Sequence, residues 1–375
     1  MKKEKILFVF GTRPEAIKLA PIIKGFLERE EFLTKVCLTS QHREMLDQVI
    51  DFFELPKDYD LNIMQPNQTL AGITSRIFTG LDPIMKDFQP DYVFVHGDTT
   101  TSMVASLSAF YAGAKVCHVE AGLRTNDKNS PFPEEMNRQI TGRVATFHFT
   151  PTQVAKENLI KENIADSSIV VTGNSVIDAL LFTAKKTVHL KNAEICEICS
   201  KVDLSKKVIL VTGHRRENHG EGIIKICQAL RRIALEIKGT EIVFPVHLNP
   251  NIASPVKKLL SDIPNIHLIN PLSYPSFVWM MKQSKLILTD SGGVQEEAPS
   301  LGKPVLVLRE NTERPEAVKE GTVILLGTDE DKIFFTTQAL LTDSEMYHKM
   351  SIKNNPYGDG KTTERIIQFM LNASL

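Results

Sequence analysis

Cysteine is scarce in this sequence, with five residues in a chain of 375. A low, odd number of cysteines in a long chain does not form the disulfide framework of a small secreted domain. Cys196 and Cys199 have the spacing of a redox pair or of two metal ligands. A second pair is lacking, however, and the segment around them is charged, so we expect neither role.

An excess of either charge is also lacking. The 44 lysines and arginines are balanced by 45 aspartates and glutamates, for a formal net charge of -1. Nucleic-acid-binding proteins normally carry a basic excess or stripe, so no nucleic-acid partner is expected. No uncharged apolar run is long enough to span a membrane, and the charged residues 1–5 lead into a short strand instead of a signal-peptide core. We therefore expect a cytoplasmic protein with no membrane partner.

Short β-rich runs alternate with helix-length segments along nearly the whole chain. The runs are mostly Val, Ile, Leu and Phe, as expected when helices cover both faces of a parallel sheet. The pattern predicts an α/β fold with two doubly wound parallel sheets. The predicted strands are 6–10, 35–39, 91–96, 115–119, 146–149 and 169–172 in the first half, and 208–212, 241–246, 267–269, 286–289, 305–308 and 322–325 in the second.

A chain of this length exceeds the size at which a single core stops growing, so two domains are expected. We place the boundary after the sixth strand, because the stretch 185–207 is polar and weakly patterned. The first domain is then 1–172 and the second 173–360. Ligands bind beyond the carboxyl ends of the strands in such sheets, so the residues just after each strand carry the functional information.

The most informative of these strand ends is the segment 290–298. Ser291, Gly292 and Gly293 open a short helix and can aim backbone N–H groups at an anion. Glu296 and Glu297 follow, and one of them can reach the hydroxyls of a ribose. The segment predicts a nucleotide diphosphate site, although an ordinary strand-to-helix turn with two glycines remains the alternative.

The segment that follows the first strand supplies cations at the carboxyl edge of the first predicted sheet. Gly11 permits a tight turn, Pro14 suits a first helical turn, and Arg13 and Lys18 can clamp a diphosphate. The alternative is a capped helix start with two solvated bases. The three-glycine fingerprint G-x-G-x-x-G is missing here, so NAD bound in that manner is disfavoured.

Three carboxylates follow neighbouring strands of the first half. Asp98 and Glu120 come after adjacent strands, which lie about 4.8 Å apart in a sheet, and Glu134 follows in a proline-rich turn that opens a helix. Carboxylates that converge on one crevice tend to have raised pKa values, so that a carboxyl group can carry a proton near neutral pH. For Asp98 the alternative is a plain helix N-cap.

Two histidines end strands of the second half. His214 can face the carboxylates and His247 ends the next strand, although a single histidine of this kind is more often a structural hydrogen-bonding group. Neither histidine has a close-spaced ligand partner, so no metal site is predicted.

Taken together, these motifs resemble, in the same order, those of the non-hydrolysing UDP-N-acetylglucosamine 2-epimerases. The resemblance spans essentially the whole chain. The segments that carry it are Gly11-Thr12-Arg13-Pro14-Glu15, His96-Gly97-Asp98-Thr99, His118-Val119-Glu120-Ala121-Gly122, Pro133-Glu134-Glu135, Gly213-His214-Arg215-Arg216-Glu217-Asn218, Asp290-Ser291-Gly292-Gly293 through Glu297, and Asn355-Pro356-Tyr357-Gly358-Asp359-Gly360.

The resemblance implies two Rossmann-like domains that face each other across a cleft, as in GT-B glycosyltransferases, with the last helix, 361–375, packed on the first domain. It also implies reversible epimerisation of UDP-N-acetylglucosamine to UDP-N-acetylmannosamine, without NAD or a metal. In such enzymes UDP leaves by anti elimination to 2-acetamidoglucal and adds back. By motif, the acid/base residues are Asp98, Glu120 and Glu134 with His214, whose individual roles stay open. The UDP-binding residues are Arg13, Lys18, Ser291, Gly292, Gly293 and Glu297.

The same resemblance implies a homodimer and, in bacterial members, a second UDP-N-acetylglucosamine that binds beside the active site as an activator. The matching positions here are Gln41, Arg215 and His247, with Glu44 where some members have Gln. The product would supply N-acetylmannosamine units for bacterial envelope polysaccharides. The alternatives are a hydrolysing epimerase that releases free N-acetylmannosamine, a GT-B glycosyltransferase and a non-catalytic nucleotide-sugar sensor.

Overall fold

The structure is a computed structural model that describes residues 3–40, 43–65, 68–352 and 354–373. By its contacts the chain divides into two compact units. Unit 1 comprises residues 1–179 and 357–375, and unit 2 comprises residues 180–356. Each unit is built on one parallel sheet.

Unit 1 contains a seven-stranded sheet in the order β3-β2-β1-β4-β5-β6-β7. Every recorded strand pair is parallel. Its strands are β1 (Glu4–Phe10), β2 (Phe32–Leu38), β3 (Tyr59–Asp60), β4 (Tyr92–His96), β5 (Lys115–Val119), β6 (Phe147–Thr150) and β7 (Ile169–Val171). The helices that begin before unit 2 in the sequence are α1 (Arg13–Leu27), α2 (Arg43–Phe53), α3 (Leu70–Phe88), α4 (Thr100–Tyr111), α5 (Glu134–Val144), α6 (Gln153–Lys161) and α7 (Ser175–Lys186).

Unit 2 contains a six-stranded parallel sheet in the order β10-β9-β8-β11-β12-β13. The strands are β8 (Lys207–Thr212), β9 (Thr240–Pro245), β10 (Ile266–Ile269), β11 (Leu286–Thr289), β12 (Val305–Val307) and β13 (Val323–Leu325). The remaining helices are α8 (Ala193–Lys201), α9 (Glu221–Glu236), α10 (Pro250–Leu260), α11 (Tyr274–Gln283), α12 (Gly292–Glu297), α13 (Pro315–Glu320), α14 (Glu330–Thr342) and α15 (Ser344–Ser351), followed by α16 (Thr362–Ala373), which belongs to unit 1.

The predicted class, two doubly wound parallel-sheet domains, is confirmed. Residues 6–10 of the central strand β1 and residues 208–211 of β8 are buried along their whole length, because helices cover both faces of the sheets. Every strand predicted from the sequence is present. The two-residue edge strand β3 was not predicted. The stretch 185–207 contains the helix α8 around Cys196 and Cys199, where the charged sequence indicated a helix.

The last helix packs within unit 1. α16 lies against α1, where Gly25 leaves room for the side chains of Thr363 and Ile367. The carboxylate of Asp178 accepts hydrogen bonds from the backbone N–H groups of Thr362 and Thr363, at 3.2 and 2.8 Å, and so caps the start of α16. Within the described part of the chain, no helix is both long and apolar enough to cross a membrane.

The turn after β5 depends on a glycine. Gly122 has a φ of +87°, and a Cβ built on it would lie 2.2 Å from the carbonyl oxygen of Ala155. Gly113 has a similar φ of +78°, but a Cβ there meets no described atom within 4 Å. The two positions therefore share the backbone cost of a non-glycine residue and differ in the steric clash.

We expect Gly113→Ala to lower the free energy of unfolding by about 1 kcal/mol, the cost of a left-handed conformation. Gly122→Ala should lower it by about 3 kcal/mol or more, since overpacking against backbone adds to that cost. Urea denaturation followed by circular dichroism measures both. Equal losses in the two variants would show that the clash with Ala155 is absent in solution.

Candidate functional site

The turn between β1 and α1 is organised by a buried carboxyl group. Thr12 is the N-cap of α1, and the Glu15 side chain accepts hydrogen bonds from the backbone N–H groups of Gly11 and Thr12, at 3.1 and 2.8 Å. The other carboxylate oxygen of Glu15 accepts from the hydroxyl of Thr99 at 2.6 Å. Burial raises the pKa of Glu15, while these hydrogen bonds lower it. Glu15 thus ties the β1 turn to the β4 turn.

The β1 turn presents two of the predicted cations. Arg13 is the first residue of α1 and is half-buried. Lys18 lies one turn further along α1, and its Nζ donates to Oε1 of Glu120. The first helix therefore carries a cation directly to one of the predicted acid/base residues.

Glu120 lies in the turn after β5 and has a φ of +61°, which is rare for a residue other than glycine. Its Oε1 accepts from Lys18 and from Nδ2 of Asn174 at 3.1 Å. Its Oε2 lies 3.7 Å from Nε2 of His96. A sparsely populated backbone conformation that persists at a candidate site points to a functional constraint.

Asp98 is not the cap of the following helix. Thr99 takes that position, and its hydroxyl accepts from the backbone N–H of Ser102 at 3.0 Å. The Asp98 carboxylate is instead paired with Nη2 of Arg138 at 2.6 Å. Burial raises the pKa of Asp98, the Arg138 guanidinium lowers it, and the charge of Glu120 raises it again. Asp98 and Glu120 therefore interact electrostatically, as predicted.

Helix α5 begins at Glu134 and contacts Asp98 through two later residues. Asn137 and Arg138, on this helix, donate to the backbone oxygen and the carboxylate of Asp98, at 2.9 and 2.6 Å. Glu134 lies one turn earlier, so that its half-buried side chain is on the same helix face. An acid/base role for Glu134 beside Asp98 stays a prediction.

In unit 2 the carboxylate of Asp290 is fully buried and organises the turn after β8. Its Oδ2 accepts from the backbone N–H groups of His214 and Arg215, each at 2.9 Å, and from Nδ2 of Asn218 at 3.1 Å. Nδ1 of His214 lies 3.4 Å from Oδ1 of Asp290. Burial lowers the pKa of His214, while Asp290 raises it.

The segment predicted to hold phosphate forms the start of α12. Ser291 is the N-cap residue, and no side chain caps this helix among the described residues. Gly292 and Gly293 are its first two residues, and Cβ atoms built on them would lie 3.3 Å from the Glu313 carboxylate and 3.6 Å from the Glu297 carboxylate, respectively. Two carboxylates therefore lie near this helix N-terminus, and phosphate binding by its backbone N–H groups stays a prediction.

The two glutamates of this helix have different partners. Glu296 pairs with Nε of Arg314. Glu297 accepts from the hydroxyl of Tyr274 at 3.2 Å, and its Oε1 would lie 3.6 Å from a Cβ on Gly293. Glu297 is therefore the carboxylate next to the predicted phosphate turn, in line with the motif match.

The predicted regulatory residues are only partly described. Gln41 lies outside the described residues, and so does the Glu44 side chain, although the Glu44 backbone belongs to α2. Arg215 Nη2 lies 3.2 Å from the Glu313 carboxylate. The exposed His247 stacks on His214, with 5.7 Å between ring centroids. A regulatory role stays a prediction.

Each unit therefore holds its own part of the predicted set. Sequence reasoning assigned no role to Arg138, Asn174, His96 or Asp290, which contact the predicted residues directly. The only available signal was their presence inside or beside the motifs, because their contacts depend on three-dimensional packing. Unit 1 holds Arg13, Lys18, Asp98, Glu120 and Glu134, and unit 2 holds His214, Arg215, His247, Ser291, Gly292, Gly293 and Glu297.

The sequence model of the protein family described as UDP-N-acetylglucosamine 2-epimerase matches residues 25–371. The chain belongs to this family. A relative of that name from Salmonella typhimurium is 55% identical over 366 residues, which are 97% of each chain. A UDP-GlcNAc 2-epimerase from Neisseria meningitidis, crystallised with UDP-GlcNAc, is 50% identical with a TM-score of 0.86, covering 98% of this chain and 100% of that one. The enzyme from Methanocaldococcus jannaschii is 34% identical with a TM-score of 0.87, covering 98% and 99%.

Arg138→Gln should raise the pKa of Asp98 further, by on the order of one unit, because the charge that favours the carboxylate is removed while Glu120 and the burial remain. Carboxyl ¹³C NMR titration, with Asp98→Asn to assign the signal, measures it. Arg143→Gln, an exposed change on the same helix, is the matched control and should leave the titration unchanged. An Asp98 pKa that stays constant or falls in Arg138→Gln would contradict the pairing.

Proposed function

We propose that this protein interconverts UDP-N-acetylglucosamine and UDP-N-acetylmannosamine by inverting the configuration at C2, without hydrolysing the nucleotide sugar. The observation that carries the proposal is the pair of acid/base carboxyl groups, Asp98 and Glu120, each with its own cation at one strand edge. Family membership over nearly the whole chain supports the same reaction. The product would feed bacterial envelope polysaccharides.

The first step is an anti elimination. A carboxylate removes the proton from C2, the C2–H electron pair forms the double bond between C1 and C2, and the C1–O bond breaks with its electron pair going to the β-phosphate oxygen. The products are UDP and 2-acetamidoglucal. The reaction needs a base of the right pKa near C2 and stabilisation of the charge that develops on the leaving phosphate.

The leaving UDP is stabilised by the start of α12. Backbone N–H groups of Ser291, Gly292 and Gly293 would donate to the phosphate, and the Glu297 carboxylate would accept hydrogen bonds from the ribose hydroxyls. Arg13, at the start of α1, would add positive charge. Lys18 pairs with Glu120 and therefore favours its carboxylate form.

The second step reverses the first on the other face of the sugar. UDP adds back to C1, and a carboxylic acid delivers a proton to the opposite face of C2. Inversion therefore needs two acid/base groups whose environments differ. Asp98 is buried beside Arg138, and Glu120 is held by Lys18 and Asn174, so the two carboxyl groups differ in this way.

The three rival functions make different demands on these residues. An inverting glycosyltransferase needs one base, and a nucleotide-sugar sensor needs none, so neither explains why Asp98 and Glu120 lie at one edge of the sheet. A hydrolysing epimerase uses comparable acids but releases free N-acetylmannosamine, so product analysis distinguishes it.

We expect purified protein in D₂O, given UDP-N-acetylglucosamine alone, to form UDP-N-acetylmannosamine with deuterium at C2, because the C2 proton exchanges with solvent at the acid/base groups. Proton and phosphorus NMR follow both changes in one sample. Retention of the C2 proton, a requirement for NAD, or free N-acetylmannosamine as the main product would contradict the proposal.

Asp98→Asn and Glu120→Gln should each lower kcat by 100-fold or more, about the size of an acid/base contribution. Each should leave the Kd for UDP within about threefold, since neither Asp98 nor Glu120 is among the residues proposed to contact UDP. Turnover assays and isothermal titration calorimetry measure the two quantities. Asp82→Asn, which removes a carboxylate from an exposed ion pair on α3, is the control and should retain full activity. Unfolding of both site variants in place of selective loss of kcat would indicate a structural role.

A further inference from the structure

The Glu120 carboxyl group has two dissimilar sides. On the Oε1 side, Lys18 and Asn174 donate hydrogen bonds, which favours a carboxylate. On the Oε2 side lies His96, whose Nε2 is 3.7 Å away. The titratable and charged groups that face Glu120 are Lys18 from α1, His96 from the end of β4 and Asp98 from the turn that follows.

His96 is a neutral imidazole at this position. Its side chain is only 4% exposed, and burial lowers its pKa to about 4, against the opposing effect of the Glu120 charge. We assign the single ring proton to Nδ1, the ring nitrogen nearer the backbone of His96 itself. Nε2 is buried and has no hydrogen-bond partner among the described residues, so this nitrogen is left as an acceptor.

A buried acceptor without a partner is costly and requires an explanation. Protonation of Glu120 during turnover would explain the unpartnered Nε2, because the new O–H group of Glu120 is a buried donor that also needs a partner. The distance of 3.7 Å between His96 Nε2 and Glu120 Oε2 exceeds that of a hydrogen bond, so the two groups must approach each other to form one. Catalytic hydrogen bonds are often long before substrate binds.

We propose that His96 is a positioning residue that accepts a hydrogen bond from the protonated Glu120 carboxyl, so that Glu120 is stabilised in both of its protonation states. Lys18 and Asn174 stabilise the carboxylate form of Glu120, and His96 stabilises its protonated form. The inference rests on the proposed function for the acid/base role of Glu120. It adds a residue that acts through Glu120 and does not itself exchange a proton with the sugar.

The test compares two substitutions of His96 with one at a matched histidine. His96→Leu removes the acceptor, whereas His96→Gln can place an amide oxygen near the position of Nε2. His148→Leu is the control, because His148 is also buried and neutral, with a pKa of about 4 and an unpartnered ring nitrogen, but lies on β6 near Arg124 and Glu162. If His96→Leu does not fold, His96→Asn replaces it, since its shorter side chain also leaves the Nε2 position empty.

We expect His96→Leu to lower kcat 10-fold to 100-fold and to leave KM within threefold of the wild-type value. It should also lower the apparent pKa of Glu120 by about one unit, as a tenfold loss of stabilisation of the acid form requires. His96→Gln should restore most of the lost kcat and most of the shift in pKa. The pH profile of kcat and carboxyl ¹³C NMR titration, with Glu120→Gln to assign the signal, give independent readouts. His148→Leu should leave both unchanged.

A Glu120 pKa and kcat that are unchanged in His96→Leu would overturn the inference, as would equal changes in His148→Leu. The NMR titration does not require turnover, so it tests the hydrogen bond even if the wild-type protein fails to epimerise UDP-N-acetylglucosamine. Failure of the wild-type protein to epimerise the substrate would count against the proposed function, and it is measured on the wild-type protein without any variant.

Discussion

Two acidic side chains, Asp98 and Glu120, share one edge of a sheet, and like charges so placed repel each other. The arrangement is stable because each carboxyl group has a separate cation, Arg138 for Asp98 and Lys18 for Glu120. Much of the surrounding structure holds these cations in place. α5 delivers Arg138, and the capped start of α1 delivers Lys18, with Glu15 linking that start to the turn that carries Asp98.

Unit 2 uses a buried carboxylate for a different purpose. Asp290 is fully enclosed and accepts hydrogen bonds from two backbone N–H groups and from Asn218, so that it fixes the turn on which His214 lies. In unit 1 the side chains of Asp98 and Glu120 keep 29% and 11% of their exposure, whereas Asp290 is fully enclosed by its hydrogen-bond donors. The contrast separates the carboxyl groups proposed to act on the sugar from one that fixes a loop, although all three come shortly after parallel strands.

The strand pattern of this chain was predictable because both sheets are buried on both faces, which leaves apolar runs that stand out in the sequence. The placement of Asp98 and Glu120 followed from the rule that parallel strands end at one edge, whereas Glu134 lies at the start of α5. The side chains that pair with these residues could not be predicted from the sequence in the same way. Asp98 could equally have been an N-cap, but Thr99 caps α4 and Asp98 pairs with Arg138, forty residues later. Glu296 and Glu297 were likewise equivalent in the residue pattern until Arg314 and Tyr274 distinguished them.

In the proposed reaction UDP leaves C1 but stays bound to the protein, and it adds back as C2 is reprotonated. The most direct measurement uses UDP-N-acetylglucosamine carrying ¹⁸O in the bridge between C1 and the β-phosphorus, followed by phosphorus NMR during turnover. If the C1–O bond breaks and re-forms, the label moves from the bridge to the non-bridging β-phosphate oxygens as UDP-N-acetylmannosamine appears. Label that stays in the bridge of the epimerised product would contradict the elimination and the role assigned to the start of α12.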